Sequence, residues 1–194
     1  MSQLKIKKLR EILEERQISA FITPTSDPHK SEYIANFWKS REWLTGFSGS
    51  AGTAIVTKNH AGLWTDSRYF VQAEKQLQHP FILHKLKTRQ PEYIAWILEN
   101  LKPDDNVGID AQLFSIVEFE VLKKELETKH ITITDVGDLF KDIWSDRPPL
   151  PNNSIILHDN QYNFLNRNQK IEKIRSYLAK NNNEQILITF IRPT

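Results

Sequence analysis

Short β-branched segments and longer amphipathic segments alternate from residue 4 to residue 144, and this alternation constrains the fold more than any other feature. Strands are predicted at residues 18–23, 53–57, 62–65, 81–86, 107–110 and 131–136. Helices are predicted at residues 4–16, 68–78, 91–101, 115–129 and 138–144. Because alternating strands and helices pack as layers around a core, the pattern predicts an α/β domain with a mixed sheet. The turn-like residues 58–61 predict a hairpin, which supplies the antiparallel part of that sheet.

The clearest linker lies at residues 146–153, which read DRPPLPNN and hold three prolines in four positions. Proline resists both helix and sheet and favours a stiff, extended connection. We therefore expect a first domain at residues 1–150. Residues 151–194 are expected to form the linker and the incomplete start of a second α/β domain. Strands at 155–157 and 186–190 and a helix at about 169–180 are predicted there, in too short a chain for a core of its own.

Composition and charge exclude several classes of protein. The net charge is +2 with acidic and basic residues interspersed, so we expect no nucleic-acid partner. The absence of cysteine excludes disulfides, zinc–cysteine sites and a thiol nucleophile. No apolar run approaches the ~20 residues that span a bilayer. The charged first ten residues lack the apolar core of a signal peptide, so we expect a cytoplasmic location without membrane contact.

Two segments invite a catalytic or ligand-binding interpretation that their spacing does not support. The segment 46–52 reads GFSGSAG, but it matches neither phosphate-loop pattern and a strand follows it where a helix should. A close-packed turn is favoured instead. Asp27, His29 and Ser31 lie together in a loop, yet a catalytic triad needs a tertiary arrangement that adjacency does not supply. The six histidines include no HExxH and no i, i+4 pair, so we predict no metal site in this chain.

The turn at residues 64–70, which read WTDSRYF, carries the best candidate for a ligand contact. It follows a predicted strand, and strand ends are favoured ligand positions in α/β sheets. Asp66 is expected to cap the following helix. Arg68 is then placed to bind a carboxylate or carbonyl through its guanidinium fork. The alternative is that Arg68 pairs on the surface with an acid such as Glu74.

Five segments resemble motifs of the Xaa-Pro aminopeptidases, and they occur in that family's order. They read PTSDPHKSEY at 24–33, REWLTGFSGSAGTA at 41–54, LWTDSRYFVQA at 63–73, VGID at 107–110 and IWSDRP at 143–148. The family counterparts are DxHxSEY, RxxxSGFxGSAGTA, LWTDGRYFxQA, VGxD and IWxDRP. Two departures are Thr45, where the family has serine, and Ser67, where it has glycine. The residues that we assign to these structural motifs are Asp27, His29, Ser31, Glu32, Gly46, Gly49, Gly52, Asp66 and Tyr69.

The resemblance implies a truncated creatinase/prolidase-type N-terminal region of a peptidase M24 enzyme. It implies a three-layer α/β domain with a mixed sheet of about six strands, a ribonuclease H-like motif and a second, related domain. In the family, two divalent metals, usually manganese, are bound in a third, pita-bread domain whose ligands lie beyond residue 194. The resemblance therefore implies no catalytic residue, metal ligand or cofactor in this chain.

The role that the resemblance implies is to shape substrate access and to contribute contacts in a homo-oligomer. The parent enzyme would remove the residue before proline from a peptide substrate, and Arg68 would reach from the first domain toward the cleft. The alternative is a catalytically inactive peptide- or protein-binding module, as in the large subunit of the FACT histone chaperone, which carries a related region.

Overall fold

The computed structural model describes residues 2–88, 91–154, 156 and 159–186. The chain divides into two compact units, Met1–Leu150 and Pro151–Thr194. None of the described helices is both long and apolar enough to cross a membrane.

The first unit is built on a single mixed sheet. Its described strands are β1 (Ala20–Pro24), β2 (Thr53–Thr57), β3 (Ala61–Thr65), β4 (Ile82–Lys85), β5 (Asn106–Ile109) and β6 (Thr132–Asp135). They lie in the order β4-β3-β2-β1-β5-β6. β2 is antiparallel to both of its neighbours, and the pairs β3–β4, β1–β5 and β5–β6 are parallel. Five strands therefore point the same way and their carboxyl ends meet at one edge, which confirms the predicted mixed sheet.

Helices cover both faces of the sheet. The described α-helices of this unit are α1 (Ser2–Glu15), α2 (Ser40–Thr45), α3 (Phe70–Gln76), α4 (Glu92–Asn100) and α5 (Ile116–Glu127). Side chains alternate across β1, so Phe21 packs with Leu9 of α1 and Leu44 of α2 on one face. Ile22 packs on the other face with Ile97 of α4 and Leu122 of α5. These six side chains are all at most 1 % exposed, and the result is the predicted three-layer α/β arrangement.

Tight 3₁₀ turns occur at the beginning of two of the predicted helices, those at residues 68–78 and 138–144. Residues Ser67–Tyr69 form a 3₁₀ turn before α3, and Leu139–Asp142 form another within the short helix predicted at 138–144. In each case the preceding aspartate, Asp66 or Asp138, accepts a hydrogen bond from the N–H two residues later. This short-range bond satisfies one of the N–H groups that lack a backbone partner at the start of a helix.

The second unit contains the helix α6 (Arg167–Lys180), near the predicted bounds. Asn166 and Gln169 form a reciprocal capping box at its start. None of its residues is buried. The predicted strands at 155–157 and 186–190 lie almost wholly outside the described residues, and the assignment of a second domain stays a prediction.

Candidate functional site

The candidate site lies at the edge of the sheet where the five like-directed strands end. β1, β3 and β5 end at Pro24, Thr65 and Ile109. Each is followed within three residues by an aspartate, namely Asp27, Asp66 or Asp110. The carboxyl edge of an α/β sheet is the usual place for ligand contacts, because loops there can vary without disturbing the core.

Asp27 organises the loop that follows β1. Its Oδ1 accepts hydrogen bonds from the backbone N–H groups of His29 and Ser31, each at 2.9 Å. Burial opposes ionisation of this carboxyl, but the N–H donors, Ser31 first, outweigh burial and hold the pKa of Asp27 below its usual range. Asp27 thus binds the backbone of its own loop, and a hydrogen bond from the Ser31 side chain also lowers the pKa of Asp27.

A buried guanidinium, which sequence reasoning missed, holds the glycine-rich segment against the sheet. Arg41 on α2 is only 3 % exposed. Its Nη1 and Nη2 donate to the carbonyls of Phe47 and Gly49, and its Nε donates to the hydroxyl of Thr25 at 2.9 Å. Burial lowers the pKa of Arg41 to about 10, so the side chain still carries its charge at neutral pH.

The glycines of the segment 46–52 allow a close approach that other residues would prevent. Gly46 ends α2 in the left-handed conformation, with φ of 79°. A Cβ on Gly49 would lie 2.2 Å from Cζ of Phe47 and 2.8 Å from Cδ1 of Tyr69. Gly52 accepts from the Thr25 N–H at 2.9 Å, which joins the segment to the end of β1.

The two departures from the family motifs are both accommodated. The Thr45 hydroxyl donates to the Arg41 carbonyl at 2.9 Å and accepts from the Phe47 N–H at 3.1 Å, which a serine hydroxyl would also do. Ser67 is not among the described residues with positive φ, so this turn does not require glycine.

Asp66 and Arg68 form a fixed pair at the rim of the site. Oδ1 of Asp66 accepts from the Arg68 N–H at 3.1 Å and from its Nε at 2.9 Å, and Oδ2 accepts from Nη2 at 2.8 Å. The hydrogen bond from the Arg68 side chain lowers the pKa of Asp66 and keeps it ionised. The Arg68 side chain remains 69 % exposed.

This pairing leaves one edge of the guanidinium available. Nε and one N–H of Nη2 are used by Asp66, and Nη1 has no partner among the residues that the structure describes. The remaining N–H groups of Nη1 and Nη2 are parallel donors that match a carboxylate or a carbonyl. Glu74, the alternative partner of Arg68, instead pairs with Lys85 at 2.5 Å.

Tyr69 connects this pair to the glycine-rich segment. Its hydroxyl lies 2.6 Å from Oγ of Ser50, and its ring meets Phe47 edge-on at 5.9 Å. The guanidinium of Arg68 lies 5.3 Å from the centre of the Tyr69 ring.

Two cavities flank the glycine-rich segment. One, of about 180 Å³, is lined by Glu32, Trp38, Arg41 and others.

The second cavity, of about 410 Å³, is bordered by Asp66, Tyr93 and the exposed apolar residues Val117 and Val121 of α5. Across the described residues, no group of three or more histidine, aspartate or glutamate side chains could hold a metal ion. The described side chains at this edge can bind and orient a ligand, and the carboxylates Asp27 and Asp66 are both occupied by donors of their own loops.

Comparison with known proteins defines the class to which this fold and these motifs belong. Residues 5–143 match the family described as the Creatinase/Prolidase N-terminal domain, and the chain belongs to that family. Its relatives include Xaa-Pro aminopeptidase 2 of Rattus norvegicus, which is 38 % identical over 177 residues, covering 90 % of this chain and 26 % of the relative. Aminopeptidase P2 of Arabidopsis thaliana is 38 % identical over 193 residues, covering 96 % of this chain and 27 % of the relative.

A solved structure agrees with these sequence matches. The X-prolyl aminopeptidase of Caenorhabditis elegans, a cytosolic enzyme with a di-nuclear active site, superposes with a TM-score of 0.81 at 30 % identity. The match covers 94 % of this chain and 32 % of that enzyme. The chain therefore spans about a quarter to a third of the length of these relatives.

Proposed function

We propose that this chain is the non-catalytic N-terminal region of a Xaa-Pro aminopeptidase and that Arg68 contacts the peptide substrate. The first part is supported by relatives of that activity that match along nearly the whole chain. The second part is supported by one observation, the Asp66–Arg68 pair, which fixes a cationic fork on the exposed rim of the carboxyl edge. In the complete enzyme, the free edge of this fork would bind a carbonyl or carboxylate distal to the scissile bond.

Catalysis would belong to the region of the enzyme that this chain does not contain. The described residues offer no group of three or more histidine, aspartate or glutamate side chains that could hold a metal ion, and the C. elegans enzyme has a di-nuclear active site. We assign two divalent metals, which we expect to be manganese, to that other region. There they would supply an activated hydroxide and stabilise the charge that develops on the scissile carbonyl. This chain would position the substrate and narrow its access.

Contacts between copies of the enzyme are the third part of the proposal. Ile116 and Val117 at the start of α5 are 82 % and 72 % exposed, although both are large apolar residues. A homo-oligomer that covered them would remove this apolar surface from water. Analytical ultracentrifugation of the enzyme with Ile116→Ser and Val117→Ser tests this contribution.

The test of the Arg68 role uses a chimera. The chain would replace the matched third of the C. elegans enzyme, with which it shares 30 % identity. Arg68→Ala is expected to lower kcat/KM on Xaa-Pro peptides about tenfold, which corresponds to about 1.4 kcal/mol, while metal content stays unchanged.

Arg175→Ala is the matched control. Arg175 pairs with Glu172 at 2.8 Å and its side chain is 70 % exposed, nearly the same exposure as that of Arg68. Equal kcat/KM for the chimera and its Arg68→Ala variant on short and long peptides would refute the role of Arg68. If the chimera is inactive, peptides titrated into the isolated chain should shift the Arg68 Nε resonance. Peptide binding without activity in any longer form of the protein would favour the binding-module alternative.

A further inference from the structure

A second cluster of chemically capable side chains lies away from the candidate site, on the face of the sheet that α4 covers. His60 ends the turn between β2 and β3, and His84 lies on β4, where it pairs in register with Trp64 of β3. The Nε2 atoms of the two histidines are 3.1 Å apart. Two imidazole nitrogens that converge in this way have two chemical uses, a shared proton or a shared metal ion.

The separation of the two nitrogens matches that of neighbouring ligands on one metal ion. Metal–imidazole bonds are about 2.0–2.1 Å long, so two ligands on a tetrahedral ion are about 3.3 Å apart and two at a right angle are about 2.9 Å apart. The observed 3.1 Å lies between these values. An ion could therefore replace the shared proton once each ring turns so that its Nε2 lone pair points to the ion instead of along the line between the two nitrogens.

The surrounding side chains hold both rings in this orientation. The Trp64 ring stacks on His84, with centroids 4.0 Å apart and planes inclined by 6°. The Trp96 ring of α4 lies against His60 at 4.4 Å. Gly62 leaves the space that the ring of His60 needs, since a Cβ there would lie 2.6 Å from its Nε2. Ligands held in place by packing lose less freedom when they bind an ion.

An ion could reach the pair from solvent. His60 lines an open cavity of about 780 Å³, and the acidic residues Glu14 and Asp105 also border this cavity. The basic residues Arg10, Lys58 and Lys102 border it as well, and Nε of Arg10 donates to the Thr57 carbonyl at 2.8 Å. These positive charges oppose a cation, and this repulsion limits the affinity of the site.

We propose that His60 and His84 form a chelating site for one divalent transition-metal ion of the copper–zinc class. Imidazole ligands suit this class, and Cu²⁺ should bind more tightly than Zn²⁺. The described residues provide no third histidine or carboxylate ligand, so water completes the coordination. The bound ion joins the β2–β3 turn to β4, and it stabilises the folded state because the unfolded chain does not hold the two rings together.

The test is titration of the untagged, chelator-treated chain with CuCl₂ and then ZnCl₂, followed by tryptophan fluorescence and by calorimetry. Cu²⁺ should quench part of the fluorescence with a stoichiometry of one, because Trp64 and Trp96 contact the two rings. His60→Gln and His84→Gln should each weaken binding at least tenfold. The control is His130→Asn, which alters an exposed histidine whose φ of 57° suits asparagine, and it should bind as the wild type does.

A second measurement on the wild-type chain does not depend on the folding of any variant. Long-range ¹H–¹⁵N spectra should show the Nε2 resonances of His60 and His84 shifting together on addition of Zn²⁺, and no other imidazole should shift with them. The proposal is overturned if both Nε2 resonances stay in place at saturating Zn²⁺. It is also overturned if the wild type and the two variants bind Cu²⁺ equally.

Discussion

Replacement of Arg41 by methionine should destabilise the first unit by about 2–5 kcal/mol. The guanidinium makes three hydrogen bonds, to Thr25, Phe47 and Gly49, and hydrogen bonds from a charged group contribute about 1.5–3 kcal/mol each. Burial opposes this contribution. It lowers the pKa of Arg41 to about 10, a drop that corresponds to about 3 kcal/mol at 1.36 kcal/mol per pKa unit. Methionine removes both contributions, and the lost bonds are the larger of the two.

Urea unfolding followed by tryptophan fluorescence measures this loss as a change in midpoint at constant slope. Arg41→Lys should give an intermediate loss, because an ammonium keeps the charge but lacks the planar fork that reaches both carbonyls. Arg16→Met is the control. Arg16 makes one exposed bond to the Val136 carbonyl at 3.3 Å, and its loss should stay within about 0.5 kcal/mol. A loss below about 1 kcal/mol for Arg41→Met would refute the assignment of Arg41 as the group that holds the glycine-rich segment.

Three further predictions follow from the same structure. The isolated chain should not hydrolyse Xaa-Pro peptides with or without added Mn²⁺, and turnover that copurifies with the chain would contradict this expectation. With chelator present, the free energy of unfolding should fall by about 1–2 kcal/mol as the pH drops from 6.5 toward 4. Burial, and after it the neighbouring His60, lower the pKa of His84 in the folded chain to about 4. The unfolded chain takes up this proton near the usual pKa of histidine, so lower pH favours the unfolded chain. The figure is discounted from the full pKa difference because His84 is partly exposed to solvent, and His84→Gln should remove this part of the pH dependence. Amides of α6, which has no buried residue, should exchange faster than those of Ile55 and Val56 in β2, and equal protection would contradict the weaker packing of that helix.

Features set by neighbouring residues could be predicted from the sequence. The alternation of patterns predicted the sheet and its hairpin. Ser115 and Glu118 have the spacing of a capping box, and both hydrogen bonds of that box are present at the start of α5. The predicted cap at Asp66 is present too, because it depends on contacts only two residues apart. Local rules suffice for such features.

Features that depend on distant residues could not be predicted in this way. Arg41 looks like a solvent-exposed residue in the pattern, and its burial depends on carbonyls that turn back toward it six and eight residues later. His60 and His84 are 24 residues apart, and only the parallel pairing of β3 with β4 brings them together. Neither histidine has a partner at the i, i+4 spacing of a helical metal site, so no local pattern marks this pair. Parallel strand pairing can bring polar residues at strand ends and turns side by side. Such residues are the sequence signal that could have indicated the His60–His84 pair.

The Asp66–Arg68 pair has a consequence for the entropy of binding. A free arginine side chain samples many rotamers, and a ligand that immobilises one has to offset about 0.5–1.5 kcal/mol. In this chain the two hydrogen bonds that the Arg68 side chain donates to Asp66 restrict those rotamers during folding, before any ligand arrives. Asp66 can therefore strengthen binding at Arg68 without touching the ligand. Restricting the Arg68 side chain costs a small amount of folding free energy. Each ligand that then binds the Arg68 guanidinium associates more tightly, because that restriction is already in place.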